Sequence, residues 1–209
     1  MQIFDIFRSI QGETTRAGLP TWFVRLAGCD LACSYCDTAA ARDPEAGRAM
    51  TVEEVVAAVS SPALPHVAIT GGEPMHQVAE VNALVASLAS SGREILIETN
   101  GAHPIDALDP RAVRIVDVKT PGSGMADRTC RRNLDLVTAR DEVKFVLTSR
   151  ADYEWAKSVL ARHRLIGRTI VLFGAASPLL DPATLARWIL DDHLPVRLNI
   201  QLHKLLGLP

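Results

Sequence analysis

Three cysteines, Cys29, Cys33 and Cys36, follow directly on an apolar run over residues 21–28 that reads as a strand. Three thiolates on one loop can converge on a single metal centre, and soft sulfur ligands suit an iron–sulfur cluster or zinc. A cubane cluster takes four iron ligands, so three cysteines leave one iron open. A structural zinc ion takes four protein ligands, often from two paired motifs. This chain has no second closely spaced pair. Cys130 lies far along the sequence, and Cys130, His103 or His203 would have to complete a zinc site. The pattern favours the cluster and leaves zinc as the alternative. Other polar residues with chemical potential also sit at or just past the ends of apolar runs: Gly71, Glu98, Asn100, Lys119 and Gln201.

Those residues need elements to hold them. Strands are expected over 21–28, 67–70, 94–101, 113–119, 142–149, 169–175 and 195–201. Helical patterns fall between several of them. Thr51 with Glu54 three residues on is a capping-box start. Val78, Val81, Leu84, Val85 and Leu88 form one helical face, ended by Gly92. Residues 151–163 read as a helix, and Asp181 followed by Pro182 opens another. Residues 103–112 have room for about one turn, and 120–124 form a Gly-rich loop. The first residues precede the first of these strands, and 203–209 read as a short tail. The alternation predicts an α/β fold with a parallel sheet and right-handed crossovers. At 209 residues the chain is short for a closed eight-fold barrel, which usually takes about 250. An incomplete, shortened barrel of (β/α)6 type is expected, with a doubly wound open sheet as the competitor. Either places the active site at the C-terminal ends of the strands.

Composition narrows the partners. Lys plus Arg is 22 against 24 for Asp plus Glu, a net charge of −2. That balance gives no cationic excess for nucleic acid or an anionic membrane. Asp5 and Arg8 interrupt the apolar N-terminus, which is not a signal peptide. A cytoplasmic protein with reduced thiols is expected, and cysteines there point to metal or catalysis rather than disulfides.

The Cys29, Cys33, Cys36 spacing, with Tyr35 before the last cysteine, resembles the cluster motif of the radical S-adenosylmethionine (SAM) superfamily. Gly71, Gly72, Glu73 and Pro74 in succession are similar to its cofactor-binding motif. Residues 3–13 resemble the opening segment of the 7-carboxy-7-deazaguanine synthase family. Further similarities lie at Arg25, Asp37, Thr38, Thr70, 98–101, 117–121, 143–145 and 201–204, so the resemblance covers about residues 2–209.

The resemblance implies one radical SAM core domain over 1–209. It would have an N-terminal substrate-binding segment, 1–20, and a C-terminal tail, 201–209, as extensions closing the mouth. Cys29, Cys33 and Cys36 would hold a [4Fe-4S] cluster whose open iron takes SAM, and Thr38 would ligate Mg²⁺. SAM contacts would come from Tyr35, Cys36, Asp37, Gly72, Glu73, Glu98, Asn100, Lys119, Ser123 and Lys144. Ile10, Gln11, Gly12, Glu13, Arg25, Thr70, His203 and Pro209, the last with its carboxylate, would meet the substrate, 6-carboxy-5,6,7,8-tetrahydropterin. Hydrogen abstraction at C6, radical ring contraction and loss of ammonia would give 7-carboxy-7-deazaguanine on the route to queuosine. The residue types agree: Gln and Glu pair donors with acceptors along a pterin edge, and an Arg fork suits a carboxylate. The cofactor carries the difficult chemistry, so no side chain is assigned as the catalyst. An external one-electron donor and a homodimer are also implied.

Plainer readings stand beside these. Residues 11–13 can be a polar turn, Lys119 can pair with a structural carboxylate, Lys144 can be a buried mid-strand ion pair, and Ser123 a turn residue. Cys130 is read as a non-ligand. His66, His76, His163 and His193, with Trp22, Trp155 and Trp188, are read as surface or packing residues. A glycyl-radical activase, or a non-enzymatic iron–sulfur carrier, are the competing functions.

Overall fold

Each apolar run of this chain can be buried on both faces only if helices cover one side and a curved interior lies on the other. The computed structural model, which describes residues 1–209, satisfies that requirement with one sheet. Its strands are β1 (Gln2–Ile10), β2 (Pro20–Leu26), β3 (Arg48–Ala49), β4 (His66–Gly71), β5 (Glu94–Thr99), β6 (Val113–Asp117), β7 (Glu142–Leu147), β8 (Ile170–Ala175) and β9 (Arg197–Asn199). Their order is β3-β1-β2-β4-β5-β6-β7-β8-β9. From β2 to β9 every neighbour is parallel. β1 runs antiparallel to β2 and β3. The edges β3 and β9 do not pair, so the sheet is an unclosed barrel.

The seven parallel strands are the seven apolar runs of the sequence. β1 and the two-residue β3 are the additions that the sequence did not show; the register of β1 shifts between Ile3 and Asp5. Such an irregularity breaks the period-two alternation by which a strand is recognised.

The helices are α1 (Val52–Ala58), α2 (Val78–Ser90), α3 (Asn133–Leu136), α4 (Arg150–His163), α5 (Pro182–Asp191) and α6 (Leu202–Leu206). The Thr51–Glu54 capping box and the Asp181 cap are formed as expected. Only a single helical turn, Ile105–Ala107, joins β5 to β6. The expected C-terminal tail is instead α6.

Alternate residues face opposite ways. Val67, Ile69, Ile95 and Ile97 pack outward on Val55, Val81, Leu84 and Leu88. Val143, Phe145 and Leu147 pack on Tyr153, Ala156 and Leu160 of α4. The inward positions form a smaller apolar layer of Phe23, Ala68, Leu96, Val113 and Ile115, with Phe7 stacked 5.1 Å from Phe23.

The loop between β1 and β2 fills the space left by the missing strands. Thr14, at φ 67°, donates its N–H to Asn199 Oδ1 of β9 at 2.9 Å. A β-branched residue in that region is strained, and this bond helps hold it. Arg16 forms ion pairs with Glu94 at 2.6 Å and Glu142 at 2.7 Å, the first residues of β5 and β7. Leu202 N–H donates to Gly12 O at 2.9 Å, so the terminal segments meet.

Glu142 is fully buried. Arg16→Met removes its cation and is expected to lower unfolding free energy by about 3 kcal/mol in urea titrations. Adding Glu142→Gln to that variant should recover part of the loss.

Candidate active site

A cavity of about 250 Å³ opens at the C-terminal ends of the strands. The cysteine loop forms part of its wall and is pinned from several sides. Gly28 N–H donates to Ala41 O at 2.9 Å, and Cys29 N–H to Arg42 O at 3.0 Å. Ser34 donates its N–H to Ser123 O at 3.1 Å and its hydroxyl to Gly122 O at 2.8 Å. Glu73 N–H donates to Gly28 O at 2.7 Å. A Cβ at Gly72 would run into the Gly28 carbonyl, so the second strand-end loop reaches the cysteine loop only with glycine there.

Cys29, Cys33 and Cys36 all line the cavity as free thiols. Burial pushes the Cys29 and Cys33 thiols upward, against the hydrogen bond of Asn100 on Cys29 and the charge of Lys119 near Cys33. They therefore need a metal's charge to become thiolates at neutral pH. Tyr35 Oη and Asp117 Oδ1, also in the wall, are buried with no hydrogen-bond partner. Such orphans suit a polar ligand.

The interior beyond the loop is ionic. Lys144 Nζ lies 3.0 Å from Glu13, 3.7 Å from Glu98 and 4.0 Å from Asp117. Lys119 pairs with Asp117 at 2.8 Å. Glu13 also accepts from Asn199 Nδ2 at 2.9 Å and Gln201 Nε2 at 2.8 Å. Burial opposes ionisation of Glu13, but Lys144 and these amides outweigh it and lower its pKa to about 2. Glu98 goes the other way: burial and the Glu13 charge raise it, with Lys144 only partly compensating. Arg25 donates to Thr38 Oγ1 at 3.2 Å and lies over the Phe7 ring. Thr38 donates to Asp37, which pairs with Lys204 at 2.7 Å.

Known proteins are similar to this chain in sequence and in fold. The radical SAM superfamily profile matches residues 24–118. The 7-carboxy-7-deazaguanine synthase of Chlorobaculum tepidum is 43% identical, covering 100% of this chain and 95% of that protein. The one from Koribacter versatilis is 40% identical over 100% and 98%. The chain belongs to the 7-carboxy-7-deazaguanine synthase family. Its fold is also that of the crystal structure of QueE from Escherichia coli, with a TM-score of 0.79 at 23% identity, covering 97% and 94% of the two chains.

Most of the contact residues expected of a 7-carboxy-7-deazaguanine synthase come together in this cavity. Ile10, Gln11, Glu13, Arg25, Thr70, His203 and Pro209 line it, as do Tyr35, Asp37, Thr38, Gly72, Glu98, Asn100, Lys119 and Lys144. Three expected contacts do not line it. Glu73 is fully buried and accepts from Met75 N–H at 2.9 Å, Thr99 Oγ1 at 2.7 Å and Asn100 N–H at 2.6 Å. It positions the ends of β4 and β5. Ser123 donates into its own turn, to Thr120 O at 2.6 Å. Gly12 sits behind His203, whose ring occupies the place a Cβ would take. Phe7, Phe23, Asp117, Asn199 and Lys204 line the cavity without having been proposed. Asp117, at the end of β6, carried the strand-end signal used elsewhere; the aromatic pair looked like ordinary core.

The Glu13 shift has a consequence for stability. Its pKa falls from an ordinary 4.5 to about 2 on folding. A depressed carboxyl contributes stability above its unfolded value and loses it as pH falls through the folded value. Urea unfolding from about pH 6 to about pH 3 should show falling stability over the acid limb. Glu13→Gln should flatten that limb while lowering stability at neutral pH.

Proposed function

We propose that the chain is a radical SAM enzyme that converts 6-carboxy-5,6,7,8-tetrahydropterin to 7-carboxy-7-deazaguanine in 7-deazapurine biosynthesis. Family membership supports the activity. The observation that carries the reading is one cavity with the three-cysteine loop in its wall and a guanidinium, amides and carboxylates in the same lining. Cys29, Cys33 and Cys36 would hold the [4Fe-4S] cluster, and Gly72, Asn100 and Lys119 would flank SAM. Bound there, the cluster and SAM would supply the one-electron reductive chemistry that starts hydrogen abstraction at substrate C6. The overall conversion is redox-neutral: substrate becomes product plus ammonia.

The chain's own residues bind and orient. Arg25 offers its fork to the substrate carboxylate, which becomes its anionic partner beside Thr38. Gln11 and Glu13 present an amide and an ionised carboxylate to the pterin edge. Burial lowers the proton affinity of His203, against the charge of Glu13, so its imidazole is a neutral hydrogen-bonding group there. Lys144 keeps Glu13 ionised and fixed. The α6 segment, which brings His203 and Lys204 over the cavity, limits entry of water.

Thr38 would offer Mg²⁺ an oxygen ligand, with substrate and water completing its shell. Exposed apolar side chains on β9 and α6, including Leu198, Leu205 and Leu206, support a homodimer. No helix is long and apolar enough to cross a membrane; a cytoplasmic setting and an external one-electron donor are proposed on the family resemblance.

Anaerobically reconstituted protein given reductant, SAM, Mg²⁺ and the pterin is expected to form 7-carboxy-7-deazaguanine, read by mass spectrometry. 5′-Deoxyadenosine without that product would point to another radical SAM substrate. Cys33→Ala should abolish the broad visible absorption of the cluster; retention of full iron content would exclude the ligand assignment. Gly12→Ala displaces His203 and is expected to raise KM for the pterin about tenfold with iron content unchanged.

A further inference from the structure

Asp30, His76 and His103 come from three separate loops and meet just outside the cavity lining. Asp30 follows Cys29. His76 lies in the turn Pro74–Gln77, and His103 follows β5. His76 Nε2 is 3.3 Å from Asp30 Oδ1, and His103 Nε2 is 3.2 Å from Asp30 Oδ2. The three ligand atoms all lie within 4.8 Å of one another, and no other group of three His, Cys, Asp or Glu side chains does so. The imidazoles are 5.2 Å apart and nearly perpendicular. His103 Nε2 is buried without a hydrogen-bond partner, because its approach to Asp30 is too oblique for one.

We propose that Asp30, His76 and His103 bind one divalent transition-metal ion of the zinc type, separate from the iron–sulfur cluster. Tetrahedral coordination at 2.0–2.1 Å separates ligand atoms by about 3.3 Å. His76 is 3.3 Å from Asp30 Oδ1 and His103 3.2 Å from Oδ2, so each imidazole already has that spacing from one of the two carboxylate oxygens, and a rotation of the Asp30 carboxylate brings a single oxygen between them. The His–His separation closes by small rotations of two rings that are each about one-third exposed. Two imidazole nitrogens and one carboxylate oxygen select zinc, cobalt, nickel or copper over magnesium or calcium. Water takes the fourth position. Outer contacts are in place: Asn100 Nδ2 donates to Asp30 Oδ1 at 3.3 Å and also reaches Cys29 Sγ at 3.7 Å. Arg128 reaches Asp30 Oδ2 at 3.2 Å. Its side chain is 55% exposed and is free to leave when a metal enters. The bound ion would clip the cysteine loop to the loops after β4 and β5, and stiffen the first cluster ligand through Asp30 and Asn100.

The test uses cluster-loaded protein under anaerobic conditions, equilibrated with zinc chloride and dialysed, with zinc, iron and sulfide measured together. One zinc per chain with unchanged iron is expected. His76→Gln and His103→Gln should each weaken retention about tenfold, with iron content and circular dichroism as folding controls. Arg128→Gln should strengthen it severalfold by freeing Asp30. Zinc X-ray absorption should show only nitrogen and oxygen neighbours. No retained zinc, equal retention in the double histidine variant, sulfur in the zinc shell, or zinc gained with a matching loss of iron would each overturn the proposal.

Discussion

An ammonium group inside a barrel must be surrounded by carboxylates, and Lys144 imposes that condition on this fold. Its strand, β7, sits between β6 and β8, so its head cannot reach bulk water by moving a few ångströms. Glu13, Glu98 and Asp117 supply the compensating charge from a loop and two neighbouring strands. Removing any one partner leaves a buried charge less compensated. The same condition holds Glu13 ionised while Glu98 is pushed toward its neutral form. Two carboxyls beside one lysine thus acquire different protonation behaviour: Glu13 has the lysine and two amides bonded to it, whereas Glu98 has burial and the Glu13 charge against it.

That ionic interior explains why the β1–β2 loop is a structural part of the barrel as well as a source of site residues. It carries Glu13 to Lys144, Thr14 to Asn199 and Arg16 to the starts of β5 and β7. An unclosed sheet leaves backbone and side-chain polar groups to satisfy along its seam, and this loop satisfies them. The cysteine loop is constrained by a different means. Its hydrogen bonds run to backbone atoms of neighbouring loops, so three ligands are held before any cluster arrives. Glu73 belongs to this second system: it spends its carboxylate on Met75, Thr99 and Asn100, and through Asn100 it bears on Cys29 and Asp30.

Local rules were legible wherever the responsible interaction is local. The Thr51 and Asp181 caps, the single turn at Ile105–Ala107 and all seven parallel strands follow from nearby residues. The irregular register of β1 hid that strand, and the five residues at 202–206, with His203 and Lys204 among three leucines, were too few to mark a helix by themselves. Glu73 and Ser123 share the composition of contact residues; only the position of Asn100 and the turn at Thr120 shows that their polar atoms are already engaged. His76 read as a surface or packing residue and His103 as a possible partner of the cysteines; only the fold shows that both face Asp30.

By itself, the sequence determined the elements and the kind of chemistry: cysteine spacing, strand-end polar residues and alternating βα units depend on covalent order. Tertiary structure decided which charges face one another, since Glu13 meets Lys144 across 131 residues of chain. It also decided that Glu73 supports the site rather than lining it, and that Asp30 lies between two histidines. The reason is physical: pairing of buried charges and burial of polar groups depend on distances through space, and no local pattern encodes those distances.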